Sequence, residues 1–504
     1  MEASLKTNGF SFCQKVFSDV ITKEVTQDMV VSDTMPDIAS IVTAEGIPMI
    51  RSKDVSDGRI RVEANIPVRA SYLAEESGEL RYLDLNLPIS VSAESADVKD
   101  GCVCTVTLSM KALDARMLNS RKISVCAVME IRLDCYQNRE AVYYTADDEK
   151  SPYVHVLQRE QPISVVCCVT EKTFALTDEY ILPQGATPAS LLLGENVDLT
   201  VEEAKAVGSK LILKGSARSR VLYCSDSGQI DTAEFTTGFS QIVDTDCETE
   251  NALPLTELLL SGMYYDVEPG FDGRTIKMEL HAVAQLRLLR TEKVPYIADA
   301  YSNTYVLEPV TEERKGEYLG RDLQLRDTLR LQQELPLPAA EITSCHAAIQ
   351  SAEQVGNAVK VNMLVRLCGR DENGTQIVFR KAVAGEIPVE LSENERLLLR
   401  TAAVTEQYAA PSGSGAELRI GLEIGATVLH GFTFSYISGF KYDELQMLDL
   451  SRTPSLVIMK ASGSDCLWQI ARDNLSTVDA IIAANDLENA GENWEKLLLI
   501  PRTS

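Results

Sequence analysis

Histidine is nearly missing from this chain. His155, His281, His346 and His430 are the only four in 504 residues, and no two of them fall at a metalloprotease or deaminase spacing. No glycine-rich phosphate loop follows any expected strand, which argues against a nucleotide-binding loop. No window approaches the roughly 20 apolar residues that span a bilayer, so no transmembrane segment is expected. The first residues, Met1 to Asn8, lack the apolar stretch of a signal peptide, and a cytoplasmic location is expected. Basic residues are scarce too: 48 Lys and Arg stand against 74 Asp and Glu, a formal charge of −26. Because phosphate neutralisation needs clustered cations, this balance argues against nucleic acid as a partner.

Cysteine is thin as well, twelve in all, about one residue in forty and irregularly spaced. In a long cytoplasmic chain that composition predicts reduced thiols. Cys102 and Cys104 fall on one face of an alternating strand, but no Cys-x-x-Cys partner accompanies them to complete a metal site. Cys167 and Cys168 fall on opposite faces of a strand and read as packing residues. Cys345-His346 is the one local thiol–imidazole pair, and nothing nearby in sequence orients it as a nucleophile site. Acids are abundant enough for a glycosidase pair, yet no segment looks like a lysozyme or amidase. The expectation is a protein that is not an enzyme, with no catalytic residue, cofactor or metal.

What the chain does have is β alternation. Ile60, Val62, Ala64, Ile66, Val68, Ala70 and Tyr72 alternate with polar residues, which predicts a long strand buried on one face. The pattern returns from Leu211 to Tyr223, with Lys210, Lys214, Arg218 and Arg220 opposite, and again over Val359, Val361, Met363, Val365 and Leu367. A strand-ending proline recurs as Pro36, Pro183 and Pro336, at spacings of 147 and 153 residues. A hairpin glycine recurs as Gly78, Gly228 and Gly374, at spacings of 150 and 146. Two unrelated marks with nearly one period predict duplicated domains, with Tyr72, Tyr223 and Leu367 equivalent. The expected fold is mainly β: three repeated antiparallel sandwich-like units over 8–150, 165–310 and 322–450, then a small α+β domain over 454–504. The charged runs Asp147 to Pro152 and Thr311 to Gly316 read as linkers.

The last 50 residues read as strand, helix, helix, strand. Leu456 to Lys460 form an apolar strand and Gly463 a turn. Asp465 stands at the N-cap of a first helix, whose Leu467, Ile470 and Ala471 share a face. Ser476 or Thr477 caps a second helix carrying Val478, Ile481 and Ile482. Asn485 ends that helix, and Pro501 closes a final strand from Leu497.

On Asp465, Leu467, Trp468, Ile470, Ala471, Asn485, Leu498, Ile500 and Pro501, this segment resembles a LysM module, the βααβ unit associated with N-acetylglucosamine glycans. The resemblance implies partner or glycan contacts from the loops Gly463, Ser464, Asp465, Cys466 and Leu467 and from Asn485, Asp486, Leu487 and Trp494. Cys466 stands where the family carries threonine, and these altered loops favour a protein ligand over sugar. Trp468 reads as a core residue of the module. The repeated β units, clearest in Val221-Leu222-Tyr223…Gly228, resemble SPOCS domains. Tandem SPOCS units followed by one LysM resemble the SipL-like spore-coat morphogenetic proteins. That likeness implies a non-enzymatic scaffold on the mother-cell side of the forespore. Its expected partner is the coat basement-layer ATPase of the SpoIVA type, with other coat proteins beside it. The alternative is a cell-wall protein that binds peptidoglycan or its precursor through the LysM.

Overall fold

Three tight turns, each holding a glycine in the left-handed region, set the register of the molecule: Gly58 (φ 78°), Gly208 (φ 62°) and Gly356 (φ 57°). Two-residue hairpin turns match the twist of their strands when the central φ is positive, a conformation glycine adopts without a steric cost. The computed structural model describes all residues but 1–5, 146–153, 246, 248, 270–271, 335–340, 371–375, 414, 452, 463–465, 488–494 and 504. It is mainly β, and every pairing is antiparallel.

The first group holds β1 (Lys6–Val30), β2 (Ile38–Gly46), β3 (Met49–Ser56), β4 (Arg59–Ala74), β5 (Leu80–Glu94), β6 (Val103–Asn119) and β7 (Lys122–Thr145). β2 and β3 line one edge of β4 and β5 the other, while β1-β7-β6 form a second sheet. The break between β2 and β3 falls at Ile47-Pro48, where proline has no N–H for the ladder. The second group holds β8 (Val154–Ile181), β9 (Leu191–Val207), β10 (Lys210–Cys224), β11 (Ile230–Asp244), β12 (Leu253–Pro269) and β13 (Asp272–Ser302). Its sheets are β9-β10-β11 and β8-β13-β12. The third holds β14 (Tyr305–Glu334), β15 (Glu341–Val355), β16 (Ala358–Arg370), β17 (Gln376–Pro388), β18 (Glu395–Ser412) and β19 (Gly415–Met447), in sheets β15-β16-β17 and β14-β19-β18. One order of pairing thus recurs in the three groups: the first strand on the last, a meander between, and the penultimate strand on the last strand's other edge. The meander has three strands in the second and third groups and four in the first, where β2 and β3 share one edge of β4.

Within each group the two sheets share a core. Ile60, Ile66 and Tyr72 of β4 pack with Val125, Met129 and Ile131 of β7. Leu213, Val221 and Tyr223 of β10 pack with Ile276, Leu280 and Ala284 of β13. Val359, Val361 and Val365 of β16 pack with Leu418, Leu422 and Ala426 of β19. All seven alternating residues from Ile60 to Tyr72 are buried. Gly78 (φ 63°) and Gly228 (φ 77°) occupy the opposite hairpins with positive φ; Pro336 and Gly374 lie outside the described residues. Register corrects one equivalence. Tyr72 and Tyr223 each stand thirteen residues after the first residue of β4 and β10, whereas Leu367 stands nine after the first residue of β16. Leu367 therefore matches Val68 and Ser219.

The outer strands run past their sheets. β12 leaves β13 at Leu289 while β8 follows it to Ser302. β18 leaves β19 at His430 while β14 follows it to Met447. Each group therefore ends in a two-stranded stem, and β19, at 33 residues, is roughly 110 Å long. The stems of groups two and three pack together through Ile297, Ala300, Ile437 and Phe440. The charged run Thr311 to Gly316 lies inside β14, paired with Ile437 to Phe432. It is strand and not linker, because a stem strand open to solvent needs no apolar alternation. The run from Asp147 to Pro152 lies outside the described residues.

The polar faces of the middle strands turn inward where the three groups meet. Glu45 of β2, only 3% exposed, is bound by Arg366 of β16 and by Arg380 of β17 at 2.6 Å. Arg69 of β4 binds Glu195 of β9 at 2.5 Å, and Ser71 Oγ donates to Leu193 O at 3.2 Å. Arg220, opposite the apolar face of β10 in the alternation, is also buried and is paired with Glu234. Gln285 of β13 clasps both the N–H and the C=O of Val106 in β6, at 2.8 and 2.7 Å. Although burial works against its charge, the Arg380 and Arg366 guanidiniums hold Glu45 below the usual carboxylate range. Glu195 goes the other way: burial pushes it up to about 7, and Arg69 offsets only part of that.

Candidate functional site

The chain closes with β20 (Leu456–Ser462), α1 (Leu467–Asp473), α2 (Val478–Asn485) and β21 (Glu495–Pro501). β20 and β21 pair antiparallel, with Ile458 opposite Leu499. Leu467, Ile470 and Ala471 of α1 and Ile481 of α2 bury against Leu498 and Ile500, the i, i+3, i+4 stripe of a helix laid on a sheet. The N-cap of α1 is Cys466 and not Asp465, and no side chain caps it. The cap of α2 is Thr477, whose Oγ1 accepts from Ala480 N at 3.1 Å. Ser476 is buried instead, donating to Pro501 O at 2.5 Å.

Of the loop residues expected to carry binding, Gly463, Ser464, Asp465 and Trp494 lie outside the described residues. Cys466 is exposed and Leu467 belongs to the core. Asn485 acts as a substitute strand: its amide donates to Leu499 O at 2.6 Å and accepts from Leu499 N at 2.8 Å. Those two bonds occupy the free edge of β21, which would otherwise be open to another strand. Asp486 ends α2 in the left-handed conformation, and Leu487 folds back as a buried residue.

Trp468 takes a position that the helical pattern did not indicate. It is part-buried and sits against the tip of the β8–β13 stem. Its ring meets Tyr301 edge-on at 4.8 Å, and its Nε1 donates to Asp299 Oδ2 at 2.9 Å. Arg472, one turn further along α1, donates to the same carboxylate oxygen at 2.7 Å. Tyr301 OH donates to Ser476 O at 2.9 Å, and Asn303 Nδ2 reaches Thr503 Oγ1 at 2.7 Å. His155 of β8 packs beside Tyr301, ring centres 5.1 Å apart. Burial holds its pKa below the usual imidazole value, with Asp479 of α2 acting in the opposite direction. Burial also pushes Tyr301 up to about 12, so it stays a hydrogen-bond donor. The small C-terminal module is thereby docked on the second group's stem through a Trp–Arg clamp on one carboxylate. Asp299, Tyr301 and Asn303 lie more than 160 residues upstream of the helices they hold, and no motif marks them.

A cleft of about 450 Å³ lies at the three-group junction, walled by residues that include Glu195, Asp198, His346, Arg380 and Gln407. His346 faces Asp198 at 3.5 Å and, as the residue after Cys345 on β15, points away from that thiol. Among the described residues, no group of three or more His, Cys, Asp or Glu is placed to hold a metal ion. Among them, too, no helix is long and apolar enough to cross a membrane. No protein-family model matches the chain, and no curated protein matches it at a significant level.

Proposed function

We propose that this chain is a non-enzymatic scaffold of spore-coat assembly, formed from three duplicated SPOCS-type units and a C-terminal LysM-type module. The observation that carries the reading is the strand order occurring three times along the chain, followed by a strand–helix–helix–strand unit. In this reading the scaffold stays on the mother-cell side of the forespore. Through the terminal module it recruits the coat basement-layer ATPase of the SpoIVA type. Support for a protein partner over a sugar comes from the outward face of β20–β21. Leu456, Ile458, Leu497 and Leu499 stand exposed there, an apolar surface of the kind that marks protein contacts and offers hydroxyl groups no partners.

The test is a pull-down from sporulating cells with the full chain and with a chain ending at Ser451. Loss of one dominant protein from the shorter chain supports the scaffold reading. Equal recovery by both chains, with the full chain retaining muropeptides, overturns it in favour of peptidoglycan binding.

A further inference from the structure

All twelve cysteines are free thiols, but they are not dispersed. Along β8, Leu288 pairs with Cys168 and Leu289 with Val166, which leaves Cys167 as the extra residue of a β-bulge. A bulge re-aims side chains that would otherwise alternate, so the expected opposite orientation of Cys167 and Cys168 does not hold. Both thiols interact with Cys247, in the segment between β11 and β12. The Cys247 and Cys167 sulfurs are 3.9 Å apart. Cys13 of β1 approaches the same point from the first group, its thiol interacting with that of Cys247. Cys167 and Cys247 are half-buried and Cys168 is buried, against Leu211, Val243, Leu286 and Leu288.

We propose that Cys167 and Cys247 form a thiol–disulfide exchange site that takes a low-molecular-weight disulfide as its oxidant. The Cys167 thiolate attacks one sulfur of that disulfide, breaking its S–S bond and releasing one small thiolate. The Cys247 thiolate then attacks the Cys167 sulfur, forming the protein disulfide and releasing the second small thiolate. Two protons leave the protein thiols, and two electrons pass to the oxidant. Closure needs the sulfurs to approach from 3.9 Å to about 2 Å, and Cys247, which belongs to no strand, is not held by a ladder pairing. Burial and the neighbouring Cys247 push the Cys167 thiol up to about 12. The site is therefore slow at neutral pH and gains about tenfold in rate per pH unit as the thiolate fraction rises. The product joins the β11–β12 connection to the strand that faces the first group.

The experiment treats the full chain with oxidised glutathione at pH 7, 8 and 9, quenches in acid, alkylates, and maps peptides without reduction. The expected result is one intramolecular bond, Cys167–Cys247. It should form about tenfold faster per pH unit, be absent in Cys247→Ser and persist in Cys13→Ser. Two outcomes overturn the proposal: both cysteines still alkylated after prolonged exposure at pH 9, or the bond forming only once urea has unfolded the chain.

Discussion

Replacing Glu45 with alanine should loosen the contact of the three sheet groups before any one of them unfolds. The carboxylate is 3% exposed and is shared by two guanidiniums, Arg366 and Arg380, from two different strands of the third group. Removing one partner of a buried ion pair strands the other in a medium that solvates it poorly, at about 3–5 kcal/mol. Here two cations lose their partner together. Arg366 is the more enclosed, its side chain 10% exposed against 21% for Arg380, so most of the penalty falls on Arg366. That energy corresponds to an increase of about 10²–10³ or more in the population of the opened junction. Hydrogen exchange of the β2 and β16 amides, read beside limited proteolysis at low protease, reports such opening without global unfolding. Glu45→Gln keeps an acceptor but not the charge and should fall between wild type and alanine. Substituting Glu45, Arg366 and Arg380 together by apolar residues should recover much of the loss, since well-packed replacements of buried ion pairs are often neutral. A Glu45→Ala protein with exchange within about 1 kcal/mol of wild type would refute the claim that this carboxylate holds the groups together.

Two further predictions concern the same junction and the docked module. Glu195 has a folded pKa of about 7 against 4.5 for the free side chain, so its contribution is fully present below pH 4.5 and is lost as pH rises through 7. Glu195→Gln should therefore gain on wild type between those values, by on the order of 3 kcal/mol; parallel pH curves for the two proteins would rule this out. Asp299→Ala removes the shared acceptor of Trp468 and Arg472, both part-exposed. It should weaken docking by about 2 kcal/mol, seen as a red shift in Trp468 emission with the module's helical signal unchanged. No shift would mean that the clamp does not hold the module.

What could be read from the sequence was the buried side of each sandwich. Ile60 to Tyr72 alternate because β4 has one face in a core, and Gly78 and Gly228 mark hairpins because those turns need positive φ. The rest was hidden for physical reasons. Arg69 and Arg366 look like solvent residues within one unit, and their partners Glu195 and Glu45 come from a different group. Thr311 to Gly316 look like a linker because a two-stranded stem has no buried face to impose a period there. Cys167 and Cys168 look opposed because a one-residue bulge leaves no mark in composition. Trp468 reads as a core residue of the module, but it is only part-buried, and its partners Asp299 and Tyr301 come from a strand far upstream. The module's loops stay tied to the resemblance, since Gly463 to Asp465 and Trp494 lie outside the described residues.

The functional reading is tested most directly by titrating the purified full chain, side by side, with the coat basement-layer ATPase and with soluble muropeptide in a calorimeter. The expected result is a saturable heat with the ATPase that disappears in the chain ending at Ser451, and none with muropeptide. Saturable binding of muropeptide, with no heat from the ATPase, would contradict it.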